Sequence, residues 1–416
     1  MLRILHTADW HLGQTLRGYS RDFEHAAVLN SLIEVVQDKE IDVLLVAGDI
    51  FDSQHPSGDS QALFYRTLAR LHAARPEMSV VIIAGNHDSA GRLEAPHPLL
   101  ESFKVSIVGN VRRIDGRINT SRHLRTLTDG SGDPILHVMA LSYPTAACLP
   151  PISSAEIEEE ESNVIRSVRA LYDELHEELA LRLSGLPFVV MGHLHVRGAT
   201  TSEGAERRIL VGGQHAVPYG IFPKEAAYVA LGHLHKAQSL GPNQAVRYSG
   251  SLIPLSSTEQ PYKHGVSLVT LDGATASWEH IEISRPVEFF TIGGDGSGVR
   301  LSELADHLRQ LNLPSEIEPH LRPFVQVRLS RQGLSAGFHE QIERIASEFP
   351  VRIVEARPDP LPQTIDATAA ASTPTRSLTQ ISPEEMFLNA FRRSSKEEPT
   401  TAHLEVFHRA YTEAQG

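Results

Sequence analysis

The feature that most constrains this chain is a repeated way of ending a strand. Short runs of Val, Ile, Leu and Ala stop abruptly at clusters of Asp, Asn, Gly and His. The clusters are ADWH at 8–11, GDIFD at 48–52, GNHD at 85–88, and the two copies of GHLH at 192–195 and 232–235. The runs before them, Leu2–His6, Asp42–Val46, Val80–Ile83, Phe188–Met191 and Tyr228–Leu231, have the length and β-branched content of buried strands. Between the first two, Leu29, Leu32, Ile33 and Val36 fall at helical spacing, and Val266–Leu271 with Thr275–Ile283 reads as a closing hairpin. The alternation predicts an α/β sandwich or layered sheet with its polar residues gathered at strand ends, the edge where α/β proteins bind ligands.

The bulk numbers narrow the class. A length of 416 residues suggests two or three domains, and 41% hydrophobic with 21% charged residues reads as globular. The single cysteine, Cys148, excludes an intrachain disulfide and a Cys-based zinc site, and suits a reducing cytosol. The start, MLRILHTADWHLG, lacks an apolar signal region and no stretch has the length of a membrane span, so a cytoplasmic chain is expected. The net charge of −13 is the wrong sign for holding a polyanion by bulk electrostatics. Such a substrate would need a local positive feature, and bound metal cations would serve. The 22 histidines point the same way.

Along the chain, EIEEEES at 156–162 reads as the solvated start of a helix running to about Arg182. After Ser284-Arg285-Pro286 the pattern changes. Leu301, Leu304, Leu308 and Leu311 mark a helix, 324–330 a strand, Phe338–Phe349 a helix and 351–356 a strand, which together make a small βαβ-type second domain. The Pro-, Ala-, Thr- and Ser-rich stretch that follows reads as a linker. Beyond it, Ser382-Pro383-Glu384-Glu385 is a capping box, with Phe387, Ala390 and Phe391 and then Leu404, Phe407 and Tyr411 as apolar stripes. Two short amphipathic helices cannot bury such faces alone, so they are expected to dock on a partner, with folding back on the main body as the alternative. The expected division is 1–283, 284–358, a linker over 359–380 and a two-helix tail over 381–416.

The strand-end clusters carry the chemistry. A lone Asp-x-His is weak, and GNHD alone could be a turn. Four such clusters at strand ends exceed structural need, because buried carboxylates are costly and metal charge is their natural compensation. Asp, Asn and His without Cys suit a pair of first-row divalent ions. Two such ions can generate hydroxide and neutralise a phosphate ester under in-line attack. His25, His55, His72, His97, His137, His176, His215 and His264 belong to no cluster and default to surface or satisfied core positions. Of these, His215 lies between the two GHLH copies.

The order D-x-H, GD-x-x-D, GNHD, GH and GH-x-H resembles the calcineurin-like metallophosphoesterase superfamily. More narrowly, ILHTADWHLGQ, VAGDIFD, IAGNHDS, YVALGHLHKAQ and VRYSGSLIPLS resemble the SbcD family of DNA double-strand-break repair nuclease subunits. The resemblance is dense over the first 280 residues and looser beyond. It implies a four-layer metallophosphoesterase β-sandwich flanked by helices, a small α+β capping domain that selects DNA, and C-terminal helices. It implies one metal held by Asp9, His11, Asp49 and His235, and a second held by Asp49, Asn86, His193 and His233. His87 would be the catalytic histidine and Asp52 the carboxylate that orients it, while Asp88 is expected to brace its loop. His195 is left without a ligand role.

The activity implied is a Mn2+-dependent 3′-to-5′ exonuclease on double-stranded DNA ends and an endonuclease on single strands or hairpins, serving repair, recombination and replication. The implied assembly is a heterotetramer with an SbcC-type SMC-like ATPase, built on a homodimer of this chain and associated with the nucleoid. Two alternatives remain, a phosphodiesterase for small-molecule esters and a DNA-end-binding scaffold without catalysis. The Ser/Thr phosphatase branch is disfavoured, because Ser53-Gln54 rather than Arg-Gly follows Asp52.

Overall fold

The computed structural model describes residues 1–359 except 116, 146, 150–162, 182–184, 203–215, 243, 295–297, 333 and 335–336, together with Leu388, His403 and Leu404. The charge run at 156–162, His215, and almost all of the expected linker and tail therefore lie outside the described residues. Met1–Asp359 form one compact unit and Pro360–Gly416 a second.

The first unit is built on two six-stranded sheets. One contains β1 (Leu2–Thr7), β2 (Val43–Ala47), β3 (Ser79–Ile83) and β4 (Val105–Val108), all parallel, and is closed by the antiparallel hairpin β11 (Gly265–Asp272) and β12 (Thr275–Glu282). Its spatial order is β12-β11-β1-β2-β3-β4. The other contains β5 (Leu124–Thr128), β6 (Pro134–Ala140), β7 (Phe188–His193), β8 (Tyr228–Gly232), β9 (Gln238–Leu240) and β10 (Val246–Tyr248), in the order β9-β10-β8-β7-β6-β5. The strands read from the sequence appear within a residue or two of their expected ends. Strands β4, β5, β6, β9 and β10 were not anticipated, being short or amphipathic without a chemical cluster at their ends.

Strand alternation explains the layering. In the first sheet Leu5, Leu44, Val46, Val80 and Ile82 point one way and pack with Leu29, Leu32 and Val36 of α1 (Asp22–Asp38) and Phe64 and Leu68 of α2 (Gly58–Ala74). The alternate residues Ile4, Val43, Leu45, Val81 and Ile83 face Val138, Val189, Met191 and Ala230 of the second sheet. Val190 and Leu231 pack with Leu171, Tyr172 and Leu175 of α3 (Asn163–Ala180) on its far face. The result is helix, sheet, sheet, helix, the four layers expected. Each fully buried aliphatic side chain contributes about 1.5–3 kcal/mol to holding them together.

A third, all-parallel sheet follows in the same unit: β13 (Phe289–Ile292), β14 (Phe324–Leu329) and β15 (Arg352–Pro358), with α4 (Leu304–Gln310) and α5 (Phe338–Ala346) supplying Leu304, Leu308, Ile342 and Ala346 to its core. Strand β13 is the element the sequence concealed. The buried ring of Phe324 joins this sheet to the start of α1, with the Arg352 guanidinium 3.8 Å from its centroid and that of Arg21 5.5 Å away. Arg21 in turn holds Glu24 through two 2.7 Å bonds.

Candidate metal centre

The two sheets bring five strand ends together. In register, Thr7 lies beside Val46, Ala47 beside Ile83, and His193 beside Gly232, so the loops after β1, β2, β3, β7 and β8 leave on one side of the sandwich. The backbone there is bent to fit. Asp9 (φ 53°), His11 (φ 47°), Asp49 (φ 50°) and His233 (φ 101°) all have positive φ. This conformation costs non-glycine residues on the order of 1–3 kcal/mol each and persists only where the surroundings enforce it. Here the enforcement is visible: Asp9 N–H donates to the Gly48 carbonyl at 3.0 Å, and His11 N–H to that of Asp49 at 3.0 Å. The His233 N–H donates to Asp9 Oδ1 at 2.9 Å. Close packing adds a demand for glycine. A Cβ at Gly85 would lie 2.1 Å from Asp49 Oδ1, and one at Gly232 would lie 1.9 Å from the Ala47 carbonyl oxygen.

The predicted ligands converge in two groups. Asp9, His11 and His235 offer ligand atoms within 4.8 Å of one another, and so do Asp49, His193 and His233. Asp49 lies between them, with Oδ2 3.3 Å from His193 Nε2 and 3.5 Å from His11 Nε2. Asn86 Oδ1 sits 3.0 Å from both His193 Nε2 and His233 Nδ1. All seven sequence-predicted ligands are therefore brought together.

The donor set calls for cations. His193 Nδ1 must carry a proton, because it donates to the Ala47 carbonyl at 2.8 Å. Among the described residues its Nε2 then faces the oxygens of Asn86 and Asp49, so it holds either a second proton or a metal. Burial opposes that second proton, but the Asp49 and Asp9 carboxylates prevail and push His193 up to about 9. Asp49 is the other half of the pair. Burial works to raise it, yet His193, His11 and His87 hold it well below the usual carboxylate range. Burial raises Asp9 against the opposing pull of His193 and His235. Burial and the neighbouring His193 charge hold His233 well below an ordinary histidine. The Nε2 of His11 is buried and has no hydrogen-bond partner among the described residues, as a ligand nitrogen would. Divalent ions would satisfy these lone pairs and both buried carboxylates together.

Around the ligands, Asp88 accepts from the backbone N–H groups of Gly85 (2.8 Å), Phe51 (2.9 Å) and Ile50 (3.2 Å), and so braces its loop as expected. His87 N–H donates to Asp49 Oδ1 at 2.8 Å, while its ring Nδ1 donates to the Asp52 backbone carbonyl at 2.8 Å. The carboxylate of Asp52 has its Oδ1 3.2 Å from His11 Nδ1. Asp52 thus orients His87 through its main chain and His11 through its side chain. His11, Asp52 and His87 form a third convergent group within 4.8 Å. His195 joins none of the three; its ring lies 6.5 Å from that of His233. Sequence reasoning missed Glu259, fully buried, whose Oε1 accepts from His235 Nδ1 at 2.9 Å. It also passed over Tyr143, whose ring meets that of His193 edge-on at 6.3 Å.

Residues 2–237 match the family described as calcineurin-like phosphoesterase, the span that contains every one of these ligands. The SbcD subunit of the SbcCD nuclease of Rhodobacter capsulatus is 40% identical to this chain over 94% of both chains. The chain is an SbcD-family calcineurin-like phosphoesterase.

Other SbcD-family relatives extend the likeness. The SbcD subunit of the Bacillus subtilis SbcCD nuclease is 35% identical over 68% of this chain and 70% of its own. That of Escherichia coli is 29% identical over 93% and 92%. Residues 297–395 match a second family, described as type 5 capsule protein repressor C-terminal domain. The family implies divalent metals, which the convergent ligand groups fit. No helix among the described residues is long and apolar enough to cross a membrane.

Proposed function

We propose that this protein is the nuclease subunit of an SbcCD-type complex, hydrolysing DNA phosphodiester bonds at a two-metal centre. The observation that carries the reading is the full-length likeness to the SbcD subunit of an SbcCD nuclease, 40% over 94% of both chains, combined with a complete set of convergent ligands. Asp9, His11, Asp49 and His235 would hold one ion, and Asp49, Asn86, His193 and His233 the other, with Mn2+ the preferred metal. The ions would supply the charge that activates water and neutralises the phosphate.

The chain's own residues do the rest. With Nδ1 committed to the Asp52 carbonyl, His87 presents Nε2 to the phosphate, where it can hold a proton against the leaving 3′- or 5′-oxygen. The backbone N–H of His87 donates to Asp49 and ties the main chain that carries the ring to the carboxylate between the two groups. The substrates are double-strand ends, cut 3′ to 5′, and single-strand or hairpin DNA. The domain over 284–358 caps the site, and the tail over 381–416 binds an SbcC-type ATPase in a heterotetramer built on a homodimer, in the cytoplasm at the nucleoid.

The test uses the full chain, with and without a co-expressed ATPase, and Mn2+. Degradation of a duplex oligonucleotide supports the reading. Turnover of a chromogenic diester with no DNA degradation, even with the ATPase present, favours the small-molecule phosphodiesterase instead.

A further inference from the structure

We infer that Glu259 is a positioning residue for metal one, and that it transmits the placement of the β13-β14-β15 sheet to that metal through the loop 254–260. The inference rests on the two-metal reading of the site, and not on the identity of the substrate.

Two ligand rings of metal one are oriented by carboxylates outside the ligand set, His11 by Asp52 Oδ1 at 3.2 Å and, from a separate loop, His235 by Glu259 Oε1 on Nδ1 at 2.9 Å. That contact fixes Nε2 as the nitrogen that faces Asp9 and His11. The same carboxylate is itself held, its Oε2 accepting the Leu255 N–H at 2.8 Å and its Oε1 the Ser256 hydroxyl at 3.3 Å. Glu259 is fully buried on a short 3-10 turn, Ser257–Glu259, so it cannot be replaced by water without rearranging the loop.

The loop is anchored from outside the metallophosphoesterase sandwich. The Ser257 hydroxyl donates to Glu355 Oε2 of β15, an oxygen also bound by the Gln326 side chain of β14. The Gln260 amide donates to the Phe289 carbonyl of β13 at 3.1 Å. From the other side, Gln14 Nε2 donates to the Leu255 carbonyl at 2.8 Å and Arg21 bonds the Pro254 carbonyl. All three strands of the small sheet thus reach the loop that aims His235, a ligand of metal one. For metal two, His193 is instead fixed by the Ala47 carbonyl within the sandwich. A shift of the small sheet should therefore loosen one metal and spare the other. Carboxylates that orient a ligating histidine typically contribute 10–100-fold in metal affinity.

The experiment measures Mn2+ stoichiometry and both affinities by calorimetry and by the electron paramagnetic resonance of free Mn2+, on the full chain. Glu259→Ala should weaken one of the two sites by about 10–100-fold and leave the other within about threefold of wild type. Glu259→Gln, which keeps the shape and an acceptor oxygen, should recover part of the loss and serves if the alanine variant does not fold. Ser257→Ala and Glu355→Ala, which touch neither metal nor His235, should each weaken the same single site several-fold. Wild-type affinities at both sites in Ser257→Ala and Glu355→Ala would overturn the link to the small sheet, and in Glu259→Gln and Glu259→Ala the positioning role. Equal weakening of both sites would also overturn the inference. A wild-type protein that binds no Mn2+ would instead remove the two-metal reading beneath it.

Discussion

The two copies of GHLH share four residues and differ in what holds their histidines. In the first, His193 is completely buried and its Nδ1 is fixed by a main-chain carbonyl, that of Ala47 on the facing sheet. In the second, His233 has φ 101° and hangs from the Asp9 carboxylate by its backbone N–H, while His235 is fixed by the side chain of Glu259. The first copy is held by the sandwich itself. The second is held by side chains and loops that other parts of the chain can move. Identical words in a sequence thus become a rigid half and an adjustable half of one centre.

The strongest way to break this comparison is to remove the rigid half. His193→Ala deletes a buried ligand and leaves Asp49 without the cation or imidazolium that holds it ionised. Activity on duplex DNA with Mn2+ should fall by well over the roughly 100-fold that bounds outer-shell changes, and calorimetry should count one ion fewer. Retention of two ions at wild-type affinity would sink the assignment. Next in size is His87→Asn, which removes the proposed acid but no ligand. Turnover should drop by about 10²–10⁴-fold with Mn2+ stoichiometry unchanged. A loss of metal together with activity would move His87 into the ligand set.

The difference between the two outcomes shows where the sequence was informative. The clusters that hold the proposed ligands were legible because metal chemistry restricts them to Asp, Asn and His, and strand ends restrict where they stand, while the choice of ligand within each cluster came from the family resemblance. Both restrictions act locally, within a few residues of an apolar run. Glu259 obeys neither. It sits on a 3-10 turn in a Ser- and Thr-rich stretch, and only the tertiary fold brings it to His235. The bond between His11 and the Asp52 carboxylate escaped the sequence for a related reason. The left-handed turns at Asp9, His11 and Asp49 set the side-chain directions there, and a positive φ at a non-glycine residue leaves no mark in the sequence. In the fold, the strands that end in chemistry were visible, while β13 was not. Its four residues depend for their strand identity on pairing with Phe324–Val327.

Acidity separates the two halves of the molecule in another way. Without metal, the Asp49 carboxylate holds His193 up to about 9 against burial. A histidine raised above its unfolded value stabilises the fold fully below about pH 6.5 and loses that contribution as pH rises through about 9. The metal-free protein should therefore melt at a lower temperature at pH 9.5 than at pH 7. Saturating Mn2+ should abolish that decline, because the ion takes the place of the proton. On the acid side the groups are different. Burial lowers His6 and His25 to about 3 and His264 to about 4. Their contribution is present above about pH 6.5 and is lost as pH falls toward their folded values. These histidines lie outside the ligand set, so melting curves between pH 7 and pH 4.5 should fall with Mn2+ and without it. An acid limb removed by Mn2+ would mean that the ligands, rather than these core histidines, dominate it.

The smallest expected effect is the sharpest test of the unequal copies. His195 stands in the first GHLH where the ligand His235 stands in the second, and a true repeat would give it the same duty. The structure gives it different surroundings. Its ring lies 6.5 Å from that of His233 and belongs to none of the convergent groups, and its carbonyl accepts the Val217 N–H at 2.9 Å in the bridge between Val196 and Val217. That bridge is main-chain and survives a change of side chain. His195→Ala should therefore keep two ions and lose less than about tenfold in turnover, below the usual range for residues that orient ligands. A loss confined to KM for DNA would place the ring against substrate. A lost ion would restore the symmetry that the two copies display on paper, and the rigid half would then need a ligand that the present geometry does not give it.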